Sequence, residues 1–390
     1  MLIGRRSIAG LAVGLAYTGL SSRAAFAADK EIVVGANVPM SGPAASGGIA
    51  AERALTHATE IINKEGIQIG PDRYTLKIAI YDNKYIPAES VTNAEKMLSE
   101  GIRYIYSIGS GNSVPIVDKT NAAKALQFSF ASGKDHLTGP NLPLSFRSVP
   151  TNETAYAIYP WLKTAYPNVK RVAHVNPSDE AGFTESEDRR AQAEKAGFTN
   201  VANEYFKRGA TDFYPTATRV LTSNPDFIDF GGSIGRDQAL GVKALRELGY
   251  KGMIMVGYVD PKTFLEIAGP EGAEGALLSN TLIEPQTQVQ KDLVDWYIKK
   301  YGPPFSAVLY DSWDPIFMLA EAMRKAQSID PVVVAESLRS LEWAGLFGTM
   351  KYGMKSVYKI DCSMTRDIPM GVVKGGKSTY LTTIPWPKGL

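Results

Sequence analysis

The chain has 390 residues, of which 44% are hydrophobic and 21% are charged, as in ordinary globular proteins. This length favours two domains. The 42 basic and 40 acidic residues give a net charge of +2, which argues against a nucleic-acid-binding protein and against a disordered acidic tail.

The N-terminus has the pattern of a secretory signal. Arg5 and Arg6 precede an apolar stretch from Ile8 to Leu20, and Ala25-Phe26-Ala27 places small residues before a cleavage site. The apolar stretch is shorter than the roughly 20 residues that a membrane-spanning helix needs. We therefore predict a signal peptide over 1–27 with cleavage after Ala27. The paired arginines leave both the general secretory route and the twin-arginine route open.

The single cysteine, Cys362, cannot form an internal disulfide. It lies far from the predicted cleavage site, so it cannot carry a lipid there, and we expect no membrane anchor. A buried cysteine without chemical function is the expected role. The stability of the fold must then come from its hydrophobic core, which a chain of this length can build.

The first half of the chain alternates between strand and helix patterns. Short β-branched or alternating runs predict strands over 31–38, 74–81, 103–108 and 126–130. Apolar residues at helical spacing predict helices over 49–63, 87–100 and 114–125. Strands that alternate with helices of this length form βαβ units, and these build a doubly wound parallel sheet.

The alternation pauses near Val149-Pro150 and then begins again. Strands are predicted over 169–176, 201–206, 227–230 and 253–256, and helices over 182–196, 214–221 and 234–248. Further helices follow over 289–301, 310–327 and 331–341, and the C-terminal end is strand-like and rich in glycine. The chain is therefore predicted to form two α/β lobes. An open parallel sheet binds ligands at the carboxyl ends of its strands, so two facing lobes would share one cleft.

Several short motifs follow one another in a recognisable order. They are Ile32-Val33-Val34-Gly35, Pro39-Met40-Ser41-Gly42-Pro43, Tyr81-Asp82-Asn83, Pro87-Ala88-Glu89-Ser90, Gly109 to Ser113, Phe146-Arg147-Ser148-Val149-Pro150, Gly209-Ala210-Thr211-Asp212-Phe213 and Tyr310-Asp311. In this order they resemble the leucine/isoleucine/valine-binding-protein-like family of periplasmic binding proteins. The resemblance extends over nearly all of 32–348.

The resemblance implies a Venus-flytrap fold of the type I periplasmic binding protein class, with two doubly wound lobes joined by three crossovers. We assign 28–149 plus 280–355 to lobe 1, and 150–279 plus 356–390 to lobe 2. The resemblance also implies a monomeric periplasmic protein that binds a small amino acid or carboxylate and delivers it to an ABC permease with its ATPase. The alternative from another class is a ligand sensor of the amide-binding receptor type.

In lobe 1, a carboxylate site is predicted where a strand passes into a helix. Ser110-Gly111-Asn112-Ser113 offers backbone N–H groups and the helix dipole to an anion, and glycine allows a close approach. The resemblance implies that Ser113 binds the ligand carboxylate and that Ala131-Ser132-Gly133 is a second contact. Gly111, Asn112 and the turn residue Ser41 are further candidates. The alternative interpretation is a plain strand-to-helix turn with a helix cap.

In lobe 2, Ser233 and the loop Tyr258-Val259-Asp260 follow predicted strands, and the resemblance implies that they hold the other end of the ligand. Val259 stands where amino-acid binders of the family carry a glutamate that binds the α-ammonium group. Asp260, the next residue, can take the role of that glutamate only if the loop shifts. A buried ammonium without a carboxylate is costly. The ligand is therefore expected to be a carboxylate without an α-amino group, stacked on Tyr258 or Phe183 if it is aromatic. Packing between the lobes is the alternative role for both rings.

Neither an enzyme nor a nucleotide site is expected. The glycines at 109 and 111 lack the third glycine of a dinucleotide fingerprint, and they follow the third strand instead of the first. The three histidines are far apart, and Asp135-His136 has no nucleophile beside it, so neither a catalytic centre nor a metal or cofactor is predicted. Arg147 is expected to make structural hydrogen bonds, whereas Arg236 can face either the cleft or solvent.

Overall fold

The computed structural model describes residues 30–42, 44–233, 235–303 and 306–390, so the predicted signal peptide lies outside the described residues. The first part of the chain forms β1 (Lys30–Val38), α1 (Ala45–Glu65), β2 (Ile67–Ile69), β3 (Asp72–Asp82), α2 (Pro87–Ser99), β4 (Tyr104–Ile108), α3 (Ser110–Ala122), β5 (Leu126–Phe130), α4 (Lys134–Leu137) and β6 (Ser145–Arg147).

After a short 3₁₀ turn (Asn152–Thr154), the middle of the chain forms α5 (Ala155–Ala165), β7 (Arg171–Pro177), α6 (Glu180–Lys195), β8 (Thr199–Phe206), α7 (Tyr214–Thr222), β9 (Phe227–Asp229), α8 (Arg236–Glu247), β10 (Met253–Gly257), α9 (Pro261–Ala268), α10 (Pro270–Ala273) and β11 (Leu277–Ser279). The last part forms α11 (Gln288–Tyr301), α12 (Val308–Ala326), α13 (Pro331–Arg339), β12 (Trp343–Gly345), β13 (Gly348–Gly353), α14 (Lys355–Tyr358), β14 (Ser363–Thr365), β15 (Ile368–Lys374) and β16 (Lys377–Ile384).

The first sheet has the strand order β12-β13-β14-β6-β5-β4-β1-β3-β2. Its central strands pair in parallel, and every residue of β4 and β5 is buried. Strands that are buried along their whole length are covered on both faces of the sheet. A large core that includes α1 and α12 covers one face, and a smaller core that includes α2 and α3 covers the other. Lobe 1 is therefore doubly wound, as predicted.

The second sheet has the order β16-β15-β11-β10-β9-β7-β8. The strands from β8 to β11 are parallel, whereas β15 and β16 form an antiparallel hairpin at one edge. One apolar core packs α7, α8 and α9 against this sheet, and a second core packs α5 against its other face. The second lobe therefore repeats the two-faced construction of the first.

The chain passes between the two sheets three times: after β6, after β11, and between β14 and β15. The predicted three crossovers are thus present. The third crossover lies later than the predicted boundary at residue 356, because β14 pairs with β13 and β6 in the first sheet. The sequence pattern did not reveal this strand, which is only three residues long.

Arg147 makes structural hydrogen bonds at the first crossover, as expected. Its side chain is fully buried, and its Nε donates to the Ala131 carbonyl at 3.0 Å. One terminal nitrogen pairs with the Glu153 carboxylate, and the other donates to Thr151 and to Asn152 Oδ1. The guanidinium therefore fixes the route of the chain where it leaves the first lobe.

Cys362 is fully buried, as predicted, and burial raises the pKa of its thiol to about 12. Since the thiolate is the reactive form, native protein at about pH 8 is expected to react with dithionitrobenzoate at least 100-fold more slowly than protein unfolded in urea. The absorbance of the released thionitrobenzoate measures both rates. Equal rates in the two conditions would contradict the buried position.

Candidate functional site

A narrow cavity of about 70 Å³ lies between the two lobes. Lobe 1 contributes the residues that follow β4 and β5, and lobe 2 contributes those that follow β9 and β10, together with residues of α6. The carboxyl ends of the parallel strands of both sheets therefore meet at one cleft, as predicted.

The lobe 1 wall is formed by the start of α3. Ser110, the first residue of this helix, is fully buried, and its Oγ donates to the Ser132 carbonyl. Gly109 has a φ of 89°, and a Cβ there would lie 2.6 Å from the ring of Tyr85. Glycine is therefore required at this turn. The N–H groups of Asn112 and Ser113 donate to the Gly109 carbonyl at 3.1 and 2.9 Å, which leaves those of Ser110 and Gly111 as the N–H groups of this helix end that are suited to an anion.

The lobe 2 wall is the turn Gly231-Gly232-Ser233. A Cβ at Gly231 would lie 2.3 Å from Arg189 Cδ, so glycine leaves room for this arginine beneath the cavity. Ser233 is only 2% exposed and lines the cavity, yet its Oγ has no hydrogen-bond partner among the described residues. A buried hydroxyl group usually has such a partner. Ser233 Oγ therefore offers both a donor and an acceptor to a ligand.

Charged side chains from lobe 2 lie at one side of the cavity. Arg189 Nε donates to Glu185 Oε2 at 2.8 Å, and its terminal nitrogen donates to Asp229 Oδ2 at 3.0 Å. Burial raises the pKa of Glu185, and the positive charge of the neighbouring Arg189 partly offsets this rise. Ser132 Oγ from lobe 1 donates to Glu185 Oε1 at 2.7 Å, so a hydrogen bond crosses the cleft beside the cavity.

The rest of the inner cavity is largely apolar. Tyr258 has a φ of 53°, and its hydroxyl donates to the Pro150 carbonyl in the first crossover. Its ring meets Phe130 edge to face, with the centroids 6.0 Å apart. Other apolar side chains that line the cavity are Ile108, Phe230 and Val308.

A second, wider compartment of about 630 Å³ also opens between the lobes. Tyr85, Arg208 and Tyr258 line both compartments. Arg208 Nε donates to Asp179 Oδ2 at 2.6 Å, and a terminal nitrogen donates to the Gly232 carbonyl at 3.1 Å. Arg236, whose orientation the sequence left open, lines this compartment and is exposed.

The structure brings five of the predicted site residues to the cleft. Ala131, Ser132, Ser233 and Tyr258 line the inner cavity. Asp260 lines the wider compartment, where it also caps α9 by accepting from the Thr263 N–H at 2.7 Å.

Three candidates on α3 point elsewhere because the helix begins four residues earlier than predicted. Ser113 is fully buried, and its Oγ pairs with Ser107 Oγ at 2.8 Å. Asn112 is buried and donates to the Ile108 carbonyl at 3.2 Å. A Cβ at Gly111 would have Pro87 as its nearest neighbour, at 3.9 Å.

The remaining candidates also lie outside the cavity wall. Val259 is buried in the core of lobe 2, and Phe183 is 50% exposed and packs against Tyr205. Ser41 is exposed and donates to Asp82 Oδ2 at 2.7 Å. A Cβ at Gly133 would face Leu137 in α4. None of these contacts is with the cleft.

Sequence reasoning missed the charged residues of the cleft, Glu185, Arg189 and Arg208. Glu185 and Arg189 lie four residues apart in the predicted helix 182–196, a spacing typical of an ordinary surface ion pair. Only the fold shows that this pair is buried and that Asp229 joins it. The one available signal was the position of the pair near the start of a helix that follows a strand.

The histidines lie apart from one another. His57 stacks on Trp296 with a centroid distance of 3.6 Å, and His174 is buried with its Nε2 2.8 Å from Asn200 Oδ1. His136 is exposed. Within the described ranges, no group of three or more His, Cys, Asp or Glu side chains is arranged to hold a metal ion. Among the helices in the same ranges, none combines the length and apolar character needed to cross a membrane.

Comparison with known proteins gives a consistent family match. A family model described as "Periplasmic binding protein" matches residues 31–377. Leu/Ile/Val-binding protein homolog 3 of Brucella melitensis is 23% identical, over 84% of this chain and 89% of that protein.

Solved structures share the fold. The leucine binding protein LivK from Thermotoga maritima has a TM-score of 0.75 at 20% identity, covering 93% of this chain and all of that one. An extracellular ligand-binding receptor from Rhodopseudomonas palustris HaA2 has a TM-score of 0.75 at 25% identity, covering 90% of this chain and all of that one. The two-lobed architecture therefore occurs along the full length of these proteins.

Proposed function

This chain belongs to the periplasmic binding protein family, and we propose that it is the substrate-binding component of an ABC importer of the branched-chain-amino-acid type. In this role it acts in the periplasm as a monomer and binds its ligand without altering it. It then presents the closed form to a permease that works with an ATPase. The proposed ligand is a small amino acid or an aromatic or aliphatic carboxylate. The names of relatives that bind leucine, isoleucine and valine support this class.

One observation carries the proposal: Ser110 of lobe 1 and Ser233 of lobe 2 line the same cavity. At the start of α3, the N–H groups of Ser110 and Gly111 would donate to the ligand carboxylate. Ser233 Oγ would bond the ligand from the opposite lobe, and the apolar wall beside Phe130 and Tyr258 would hold its hydrocarbon part. A ligand that contacts both lobes stabilises the closed form and shifts the population towards it.

The direct test is mass spectrometry of small molecules released when purified protein is denatured, followed by a thermal-shift screen of amino acids and carboxylic acids. A ligand at 100 times its Kd stabilises the native state by about 2.7 kcal/mol, which is a readily measured shift. We expect at least one amino acid or carboxylate to produce such a shift. Turnover of a bound molecule, or stabilisation only by compounds without a carboxylate, would contradict the proposal.

Ser233→Ala is expected to weaken binding of the identified ligand by up to about tenfold, because an ordinary hydrogen bond contributes about 0.5–1.5 kcal/mol. Isothermal titration calorimetry measures the change in Kd. The matched control is Ser223→Ala in the same lobe, since Ser223 Oγ donates only to the Val220 carbonyl at 2.7 Å at the end of α7. Equal losses in the two variants would argue against a contact between Ser233 and the ligand.

A further inference from the structure

The size of the inner cavity limits how much of a ligand it can hold. One water molecule needs about 10–15 Å³ of cavity space. The cavity of about 70 Å³ that Ser110 and Ser233 line therefore has room for a group of only a few heavy atoms, such as a carboxylate and the carbon atoms next to it. The rest of a larger ligand must lie outside the inner cavity.

The wider compartment is the space into which such a ligand would extend. Its volume is about 630 Å³, and Tyr85, Arg208 and Tyr258 line it as well as the inner cavity. Arg53 comes to it from α1 in lobe 1, and Arg236 comes from the start of α8 in lobe 2. The two spaces are therefore successive parts of one cleft, and each lobe brings a guanidinium to the outer part.

Arg53 is held in place by two tyrosines of α11. One of its terminal nitrogens donates to Tyr297 Oη at 2.6 Å, and its guanidinium lies over the Tyr301 ring, 3.8 Å from the ring centroid. Among the described residues, the partners of this guanidinium are thus a hydroxyl group and aromatic rings, with no carboxylate in ion-pair contact. The side chain is fixed, and its positive charge remains available to a ligand.

Arg236 occupies a position that disfavours a cation. It is the first residue of α8, and the N-terminal end of a helix carries partial positive charge, which repels a guanidinium. The residue is exposed and makes no ion pair with any described residue. A residue that breaks a local rule beside a cleft is typical of a functional position. An anion bound there would interact favourably with both the guanidinium and the helix end.

The other charged residues of the wider compartment already have partners. Arg208 pairs with Asp179. Asp237 and Asp260 each accept a backbone N–H group, at 2.9 and 2.7 Å. These carboxylates offset the total charge, but their hydrogen bonds stabilise turns within lobe 2. Closure brings the unpaired guanidiniums of the two lobes towards each other, and like charges oppose this approach unless an anion lies between them.

We propose that Arg53 and Arg236 form a second anion site, and that the ligand is an elongated dicarboxylate that occupies both parts of the cleft. One carboxylate would lie at the start of α3, the hydrocarbon chain would pass Tyr85 and Tyr258, and the far carboxylate would lie between the guanidiniums. A planar guanidinium suits a carboxylate because it donates two parallel hydrogen bonds. A separate inorganic anion has the same chemistry. The inference rests on the proposed function and specifies its ligand.

The test compares straight-chain dicarboxylates, from succinate to sebacate, with monocarboxylates of the same chain length. Calorimetry on the mature protein at low salt measures each Kd. Wild-type protein is expected to bind at least one dicarboxylate at least about tenfold more tightly than the matching monocarboxylate, because the second charged group gains charge-assisted hydrogen bonds. Added salt should reduce this preference, since Arg236 is exposed and its charge is screened. A parallel series adds inorganic phosphate to the monocarboxylates.

Three variants separate recognition of the far carboxylate from structural effects. Arg53→Gln and Arg236→Gln should each lower the preference for the dicarboxylate by about threefold to tenfold. Arg190→Gln is the control, because it removes the same charge from an exposed position of α6 in lobe 2 and should leave the preference unchanged. Urea unfolding shows whether each variant is folded. Since Arg236 is exposed, its variant decides the test even if Arg53→Gln fails to fold.

Three outcomes would overturn the proposal. If dicarboxylates of every length bind no more tightly than monocarboxylates or amino acids, the second anion site is wrong, although the proposed function stands. If phosphate strengthens binding of monocarboxylates while dicarboxylates show no preference, the arginines bind a separate anion and the assignment of the ligand is wrong. If no carboxylate or amino acid binds and no ligand is released from the purified protein, the proposed function fails together with this inference.

Discussion

Replacing Arg147 by methionine is expected to lower the free energy of unfolding by about 3–5 kcal/mol, because the carboxylate of Glu153 would remain buried without its partner. Both side chains are fully buried in the native protein. Urea unfolding followed by circular dichroism measures the loss. Few other single substitutions in this chain should have an effect as large, since most change stability by less than 3 kcal/mol.

The expected size follows from how Glu153 is held. Its Oε1 also accepts from Tyr358 Oη at 2.6 Å and from Ser363 Oγ at 2.9 Å, and its Oε2 accepts from the Thr151 N–H at 3.2 Å. These donors come from the first crossover and from the chain just before the third. The charge pair is thus the centre of the contacts that connect two crossovers, and its loss should loosen the joint between the lobes.

The matched control is Arg219→Met. Arg219 Nε lies 2.6 Å from Glu204 Oε2, a comparable ion pair, but the arginine side chain is 52% exposed. Exposed pairs contribute about 0–1 kcal/mol, so the control should be nearly neutral. The double variant Arg147→Met/Glu153→Gln should recover part of the loss, because it removes the unpaired charge. Similar losses for the buried and exposed arginines would contradict this account.

The sequence predicted most of the fold because its strands are continuous buried runs with clear ends. The predicted strand 126–130 coincides with β5, in which every residue is buried. In contrast, α5 escaped prediction because Pro160 lies inside it, and proline usually interrupts a helix. The short strand β14 was missed because it is defined by its pairing with distant strands.

The site was predictable in its place but not in its chemistry. Parallel strands end at one edge of a sheet, so the sequence located the cleft and five residues that line it. Pro115 favours a helix that begins near Val114, since proline is most common in the first turn. In the structure α3 begins at Ser110. This earlier start places the side chain of Ser113 inside lobe 1, where it is fully buried. The cluster of Glu185, Arg189 and Asp229 joins residues up to 44 positions apart, and no local pattern encodes it.

Gly48→Ala is expected to destabilise the protein by about 1–3 kcal/mol or more, because helix α1 lies directly on the end of strand β1. A Cβ at Gly48 would lie 1.8 Å from the Pro39 carbonyl oxygen, so the helix or the strand end must shift. The second lobe repeats the arrangement: a Cβ at Gly182 in α6 would lie 1.9 Å from the Pro177 carbonyl oxygen at the end of β7. Gly182→Ala should therefore have a similar effect. It should also shift the position of Glu185, which lies about one turn after Gly182 in α6.

Gly47→Ala is the control for this close approach, since it makes the same chemical change one residue earlier in the same helix. A Cβ at Gly47 would lie 3.6 Å from Val308 Cγ2, which is ordinary van der Waals contact. Alanine in place of glycine favours a helix by up to about 1 kcal/mol, so Gly47→Ala should be neutral or stabilising. The midpoints of urea unfolding compare the variants directly. Opposite signs at neighbouring positions would identify the contact with Pro39 as the cause, because helix propensity alone would stabilise both variants.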